Sequence, residues 1–301
     1  MTVLLVFLVI CVALSAAGDV LIGVPFNPWK FHHKNLFSIN VASRSVKLGS
    51  AFPEVTGVGA AVMDRRDNYY IALGMSISYK PIAMVFNSSN TQRVGDIQFP
   101  YTPNDPQNCR YDDYRKQIIT TDVLARTIWN LDCSKAEFEE VFAWTIKVGD
   151  EDKPDPSIEM SPSDQSAINP FISKYYVQMR NKTEGIDYIA TLNYRTNELE
   201  SIVPIDTKTK GWFYANGLYA FSTSGDLGKI DLATGKWEFL YRFGHLPWLE
   251  TVDYSPDTNT VYASYMEGAE YFVSGINLET LKETCKIKLP ESLCYLRVNN
   301  Q

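Results

Sequence analysis

The chain has 301 residues, a formal net charge of −7 and a sequence pI near 5.1. General nucleic-acid binders and proteins of anionic membrane surfaces need a cationic surface, so this charge argues against both classes. Aromatic residues make up 13% of the chain, and this enrichment favours β-strands.

The chain begins with a pattern typical of a secretory signal peptide. Residues 3–14 are an unbroken apolar run, too short for a bilayer-spanning helix, which needs about 20 residues. Small residues follow at 15–18, as signal peptidase requires, although no Lys or Arg precedes the run. We therefore expect a signal peptide at 1–18 and a secreted single domain at 19–301. A buried N-terminal strand or helix is the alternative.

One β-hairpin pattern recurs along the mature chain. In its clearest copy, residues 227–240, an apolar strand runs into Asp231, a Thr-Gly turn follows, and an alternating strand leaves the turn. Asp or Asn can bond the backbone two residues on, and Gly supplies a positive φ. Six copies, 38 to 63 residues apart, place this turn residue at Asn40, Asn87, Asn130, Asn193, Asp231 and Asn277.

A second half-repeat precedes the hairpins. It is a polar Asp/Asn turn followed by a short strand rich in Tyr, Ile and Val, as at 63–73, 111–120 and 254–265. Together the two halves give four short strands per unit, which is typical of β-propeller blades. We predict an all-β propeller of about six four-stranded blades. Strands at 20–24 and 293–298 are expected to close the ring, so that the sheet edges are buried. A β-sandwich or a β-barrel would also give many short strands.

The segments 230–236 and 254–263 resemble a broad group of β-propeller repeats. This group includes quinoprotein-like and YVTN-type repeats and the lactonase/strictosidine-synthase-like enzymes. The resemblance covers about residues 20–298 and is carried by turn and strand positions. It implies the fold but no single family, and the fold serves binding proteins and enzymes alike.

The cysteines fit an oxidising compartment. Four remain after removal of the signal peptide, namely Cys109, Cys133, Cys285 and Cys294, and an even number suggests two disulfides. Three pairings are possible, of which the nearest-neighbour pairing, Cys109–Cys133 with Cys285–Cys294, is preferred. No Cys/His spacing is typical of a zinc site.

Two N-x-S/T sequons begin at Asn87 and Asn181. In an exported chain both are predicted glycosylation sites on surface turns.

No catalytic motif is present, so the catalytic residues are unknown and the question of an enzyme stays open. Resemblance to lactonase-type propellers implies a divalent cation at the channel mouth, held by oxygen ligands. Candidate ligands would be Glu54, Glu250 and Asp253. Ordinary surface carboxylates are the favoured interpretation, so we assign no metal ligand and no cofactor.

Candidate ligand-contacting residues lie near the predicted blade starts, namely Trp212, Trp248, His245 and Glu250. Aromatic rings there could stack on a sugar or grip a peptide. Packing between blades is the favoured role for the rings, because all-β cores absorb most aromatic side chains.

The leading hypothesis is a secreted extracellular protein that binds a secreted or cell-surface protein, or a carbohydrate, with one propeller face, without nucleic-acid binding or membrane insertion. The alternative is a Ca²⁺-dependent lactonase-like hydrolase. A quinone-cofactor enzyme is a third possibility.

Overall fold

The computed structural model describes residues 18–25, 35–51, 55–76, 81–98, 106–122, 127–132, 137–143, 158–160, 165–247 and 251–299. All regular secondary structure within these ranges is β-strand. A search of the same residues finds no helix with the length and hydropathy of a membrane span.

The first half of the chain forms sheets one after another. It begins with β1 (Val20–Pro25), β2 (Asn35–Asn40) and β3 (Ser45–Ala51). Blade 1 follows, with β4 (Val55–Asp64), β5 (Tyr69–Ser76), β6 (Pro81–Asn87) and β7 (Arg93–Gln98). Blade 2 contains β8 (Pro106–Asp112), β9 (Gln117–Asp122), β10 (Thr127–Asp132) and β11 (Glu137–Ala143).

The second half continues the same arrangement. Blade 3 contains β12 (Ile158–Met160), β13 (Ser166–Asn169), β14 (Lys174–Asn181), β15 (Ile186–Asn193) and β16 (Glu198–Ile205). Blade 4 contains β17 (Thr209–Tyr214), β18 (Leu218–Ser222), β19 (Asp226–Ile230) and β20 (Trp237–Arg242). Blade 5 contains β21 (Val252–Ser255), β22 (Thr260–Glu267), β23 (Glu270–Asn277) and β24 (Lys282–Leu289), and the last strand is β25 (Leu293–Asn299).

Each sheet is an antiparallel array of neighbouring strands. The exception in strand number is blade 3, where β12 and β13 both pair with β14 and together form a split inner edge. Strands from both ends of the chain share the sheet β25-β1-β2-β3, called the terminal blade below. In it Val20 lies opposite Asn299, and Pro25 lies opposite Leu293.

The innermost strands of the sheets contact each other in a circle, in the order β25, β4, β8, β13, β17, β21 and again β25. The sheets therefore stand radially around a central axis. The predicted all-β propeller with four-stranded blades is confirmed, in place of a sandwich or a barrel.

The apolar core lies between adjacent blades. Phe221 of β18 and Tyr265 of β22 are 0% and 1% exposed and belong to one cluster that spans blades 4 and 5. Burial of such a side chain is worth about 1.5–3 kcal/mol. A single blade would expose both of its apolar faces, so each blade depends on its neighbours.

Five of the six predicted hairpin turn residues hold their turns as expected. The side-chain oxygens of five residues accept backbone N–H groups two or three residues further on: Asn40, Asn87, Asn193, Asp231 and Asn277. The prediction for Asn130 is wrong, because β10 continues to Asp132. A shift of two residues keeps the same strand face, so the apolar alternation cannot detect it.

Tyrosine–aspartate hydrogen bonds join neighbouring blades. The donor and acceptor oxygens are 2.8, 2.8 and 2.6 Å apart in the pairs Tyr111–Asp64, Tyr194–Asp112 and Tyr262–Asp19. Burial and the adjacent carboxylate raise the pKa of Tyr194 and of Tyr262. Both phenols therefore stay neutral donors at physiological pH.

The predicted Cys285–Cys294 disulfide is wrong. No disulfide joins the three cysteines among the described residues, and burial raises the pKa of the Cys285 thiol. Cys285 and Cys294 belong to different apolar clusters, so their side chains do not meet. Cys109 Sγ lies 3.0 Å from Thr120 Oγ1, to which it donates, and Cys133 lies outside the described residues.

Candidate functional site

The first and second strands of successive blades are joined by short turns on one face of the ring. These turns are residues 65–68, 113–116, 170–173, 215–217 and 256–259, and we call this side the inner-turn face. A cavity of about 370 Å³ opens there at the axis, and residues from these turns and from the inner strands line it.

Two arginines within the channel bind the free edges of the inner strands. Arg297 of β25 donates from Nε to the Ala61 carbonyl at 2.9 Å. Arg110 of β8 donates from Nε to the Ser166 carbonyl at 2.9 Å and from Nη2 to the Trp212 carbonyl at 3.3 Å. An inner edge strand presents backbone groups that lack a strand partner. The arginines satisfy several of them, and both side chains line the cavity.

A third arginine spans the mouth of the cavity. Arg65 begins the turn after β4, and its Nη2 lies 3.1 Å from Asp253 Oδ2 in β21. The same guanidinium donates to the Val298 carbonyl at 3.3 Å, and the Val298 N–H donates to Asp253 at 2.7 Å. Asp253, a predicted metal-ligand candidate, is thus committed to an ion pair.

Asp113 is the second carboxylate that lines the cavity. One of its oxygens accepts the Arg65 backbone N–H at 3.0 Å. Burial raises the pKa of Asp113 to about 6, and the charge of Arg65 only partly opposes this shift. The Asp113 carboxylate is therefore ionised at neutral pH but poorly stabilised.

Large apolar side chains stand exposed at the rim of the cavity. Phe171 is 78% exposed, Tyr114 55% and Ile172 54%. The Tyr114 and Phe171 rings are 5.3 Å apart between centroids, and the Arg66 guanidinium lies 5.6 Å from the Tyr114 centroid. Tyr114 and Phe171 line the cavity, and Ile172 follows Phe171 in the same turn. We call these three residues the apolar rim.

The predicted ligand contact Trp212 is fully buried. Its indole N–H donates to Thr209 Oγ1 at 2.9 Å, and it belongs to the cluster between blades 3 and 4. The neighbouring ring of Tyr214 stacks on Tyr176, with centroids 5.7 Å apart. Packing between blades, the interpretation favoured from the sequence, therefore holds for Trp212.

His245 lies away from the cavity, in the loop that leads from blade 4 into blade 5. Its ring stacks on Tyr265 with a centroid distance of 4.3 Å, and its Nε2 is 4.0 Å from Glu267 Oε1. The structure does not bring His245 together with the residues of the cavity. Trp248, Glu250 and Glu54 lie outside the described residues, so their predicted roles stay predictions.

Within the described part of the chain, no group of three His, Cys, Asp or Glu residues could hold a metal ion.

Both sequon asparagines lie at the ends of strands that enter turns. The side-chain oxygen of Asn87 accepts the Ser89 N–H at 3.0 Å, and that of Asn181 accepts the Thr183 N–H at 2.9 Å. Their predicted position on turns is confirmed, and glycosylation itself stays a prediction.

The sequence analysis missed Asp113 and the apolar rim. The signal for Phe171 and Ile172 was present, because two large apolar residues stand between Pro170 and Ser173, where turn residues are usually small or polar. The position of Asp113 beside Arg65 depends on the contact between blades 1 and 2, so no local pattern marks it.

No family model matches this chain, and no curated protein matches it. A chain in the crystal structure of a nidogen/laminin complex is similar, with a TM-score of 0.66 and 12% identity over 93% of this chain and 97% of that one. TolB from Acinetobacter baumannii has a TM-score of 0.63 and 11% identity over 94% of this chain and 67% of that one. At such identities the likeness supports the fold alone.

Proposed function

We propose that this β-propeller repeat protein is an exported binding protein that holds a partner protein on its inner-turn face. The observation that carries the proposal is the apolar rim beside the axial cavity. Phe171, at 78% exposure, contributes little to the core. A contiguous exposed apolar patch beside a concave site is typical of an interaction surface.

The rim is held in one conformation before any ligand arrives. Lys116 and Ser173 take positive φ values of 56° and 57° at the ends of the turns that carry Tyr114 and Phe171. Arg115 ties its turn to the next one by donating to the Pro170 carbonyl at 3.3 Å. Prior ordering of this kind lowers the entropic cost of binding.

A protein ligand fits the rim better than a carbohydrate. Ile172 is aliphatic and offers neither a flat ring nor a hydrogen-bonding group to a sugar. Aromatic and aliphatic side chains that flank a pocket are the usual anchors for a partner's apolar residues. A similar propeller occurs in the nidogen/laminin complex, which supports a protein partner.

Export and ring closure are parts of the same proposal. The apolar run at 3–14 supports a cleaved signal peptide and secretion, and the turn positions of Asn87 and Asn181 support glycosylation. Six described sheets and the pairing of β1 with β25 support a six-bladed ring closed by its terminal strands.

The test is saturable binding of the labelled, secreted protein to the cells and extracellular matrix of the organism that makes it. Phe171→Asp should weaken this binding by about tenfold or more, since a buried Phe contributes about 1.5–3 kcal/mol. Phe239→Asp is the matched control, because Phe239 is 51% exposed on the outer strand β20. Melting temperatures establish that both variants fold.

Equal binding by the two variants would place the ligand elsewhere on the propeller. Binding that never saturates would also contradict the proposal.

A further inference from the structure

We propose that the partner inserts a cationic side chain, Lys or Arg, into the axial cavity, where the Asp113 carboxylate receives its charge. The apolar rim would cover the aliphatic stem of that side chain. This inference rests on the proposed function, because it names the chemistry of the partner at the same site.

Among the described residues, no cationic side chain forms an ion pair with Asp113, and the nearby charge of Arg65 only partly stabilises its carboxylate. Its one hydrogen bond within the described residues comes from the Arg65 backbone N–H at 3.0 Å. The Arg65 guanidinium forms its ion pair with Asp253 instead, at 3.1 Å. Charged groups in confined sites are normally paired, so Asp113 is left for a ligand to pair.

The arginines of the cavity are already engaged. Arg110 donates to carbonyls of β13 and β17, and Arg297 donates to a carbonyl of β4. An anionic ligand would have to take these N–H groups from the backbone and would also approach Asp113. A cationic ligand would leave these hydrogen bonds in place and would be attracted by the Asp113 carboxylate.

The rim already accommodates a guanidinium. Arg66 lies 5.6 Å from the Tyr114 ring centroid, which is within the range of a cation–π contact. The whole chain carries a net charge of −7, and such a field attracts a basic partner over a distance. The overall charge therefore favours a basic ligand, and within the cavity Asp113 attracts it against the positive charges of Arg110 and Arg297.

The electrostatics of Asp113 predict how binding depends on pH. Burial raises its pKa to about 6, Arg65 opposes the shift, and the like charges of Asp64 and Asp112 reinforce it. As the pH falls through this value, Asp113 takes up a proton and loses its charge. A cationic ligand must then bind more weakly, whereas an acidic ligand would bind more tightly.

The experiment selects random dodecapeptides displayed on phage against the immobilised protein at about pH 7.5. Synthetic copies of the selected peptides are then titrated at neutral pH and at about pH 5. We expect Lys or Arg next to apolar residues, and affinity about tenfold lower at the acidic pH.

Asp113→Asn should weaken peptide binding at neutral pH by about tenfold and remove most of its pH dependence. Glu279→Gln is the matched control, since it makes the same change of charge at an exposed hairpin turn. It should change the affinity by less than about twofold.

Acidic peptides, tighter binding at low pH, or full binding by Asp113→Asn would overturn this inference. If the selected peptides nevertheless lose affinity for the Phe171→Asp variant, the proposed function stands. Peptides that bind the Phe171→Asp variant as tightly as the wild type would contradict both this inference and the proposed function. A selection that returns no peptide would do the same.

Discussion

The charge of Asp113 lowers the stability of the folded protein, whereas the proposed binding of a cationic side chain needs that charge. Its carboxylate is held in a partly buried place beside Asp64 and Asp112, where the charged form is disfavoured. Replacement by an uncharged residue would relieve that cost. A residue that lowers the stability of the fold in this way is a candidate for a functional role.

Asp113→Asn should raise the free energy of unfolding at neutral pH by about 1–3 kcal/mol. The pKa is about 6 in the folded protein, well above the ordinary value of an aspartate side chain. The wild-type carboxyl is therefore tolerated at low pH, and its cost grows as the pH rises from about 4 to about 6 and stays constant above that. Urea unfolding across this pH range measures the difference, with Glu279→Gln as the reference.

The advantage of the variant should vanish below about pH 4, where the folded and unfolded wild-type chains both bind the proton. A variant less stable than wild type at neutral pH would show that the Arg65 contact outweighs desolvation.

Residue-level predictions from the sequence succeeded where the cause is local. Asn40 and Asp231 hold turns by accepting hydrogen bonds from backbone groups two or three residues away. Contacts this close along the chain can be predicted from the sequence alone. The environment of Asp113 depends on a neighbouring blade, and the sequence offers no equivalent signal for it.

The elements of the ring are joined by hydrogen bonds as well as by apolar contacts. Asp112 ends β8, and its carboxylate accepts Tyr194 Oη from blade 3. The other carboxylate oxygen of Asp112 accepts the Tyr114 N–H at 2.9 Å. One buried side chain thus fixes both a turn of the inner-turn face and the contact between two blades.

Tyr194→Phe should lower the free energy of unfolding by about 1.5–3 kcal/mol, because a buried carboxylate loses a hydroxyl donor. Thermal or urea unfolding measures the loss. Tyr188→Phe is the control, since the Tyr188 hydroxyl bonds Glu184 at an exposed position, and its loss should cost less than about 1 kcal/mol. Equal effects would mean that the bond between blades adds nothing beyond packing.

Element boundaries were predictable to the extent that turns carry Asx residues. The prediction at Asn130 failed because Asp132 is equally suited to a turn and lies two residues further along the strand, which leaves the apolar alternation unchanged. The disulfide prediction failed for another reason. Short separation along the chain does not imply proximity when β24 and β25 belong to different blades.

At the scale of the whole molecule, the terminal strands complete one blade. Leu296 and Val298 of β25 are both 0% exposed. Val298 also accepts a hydrogen bond from Arg65 and donates one to Asp253. Loss of β25 would therefore uncover β1 and loosen the mouth of the cavity together.

Deletion of residues 293–301 should abolish cooperative thermal unfolding, because the contacts of the terminal blade with blades 1 and 5 are lost. A peptide of residues 292–301 added in trans should restore the transition, and a scrambled peptide should not. Calorimetry and far-UV circular dichroism measure both. A cooperative transition close to that of the wild type would contradict the role assigned to β25.

The pairing of β1 with β25 has a consequence for biosynthesis. β1 leaves the ribosome long before β25 and gains this neighbour only after β25 has been synthesised. Until then its open edge is available to any other nascent polypeptide. A chain whose translation stops before β25 should consequently be prone to aggregation rather than remain a slightly shorter functional protein.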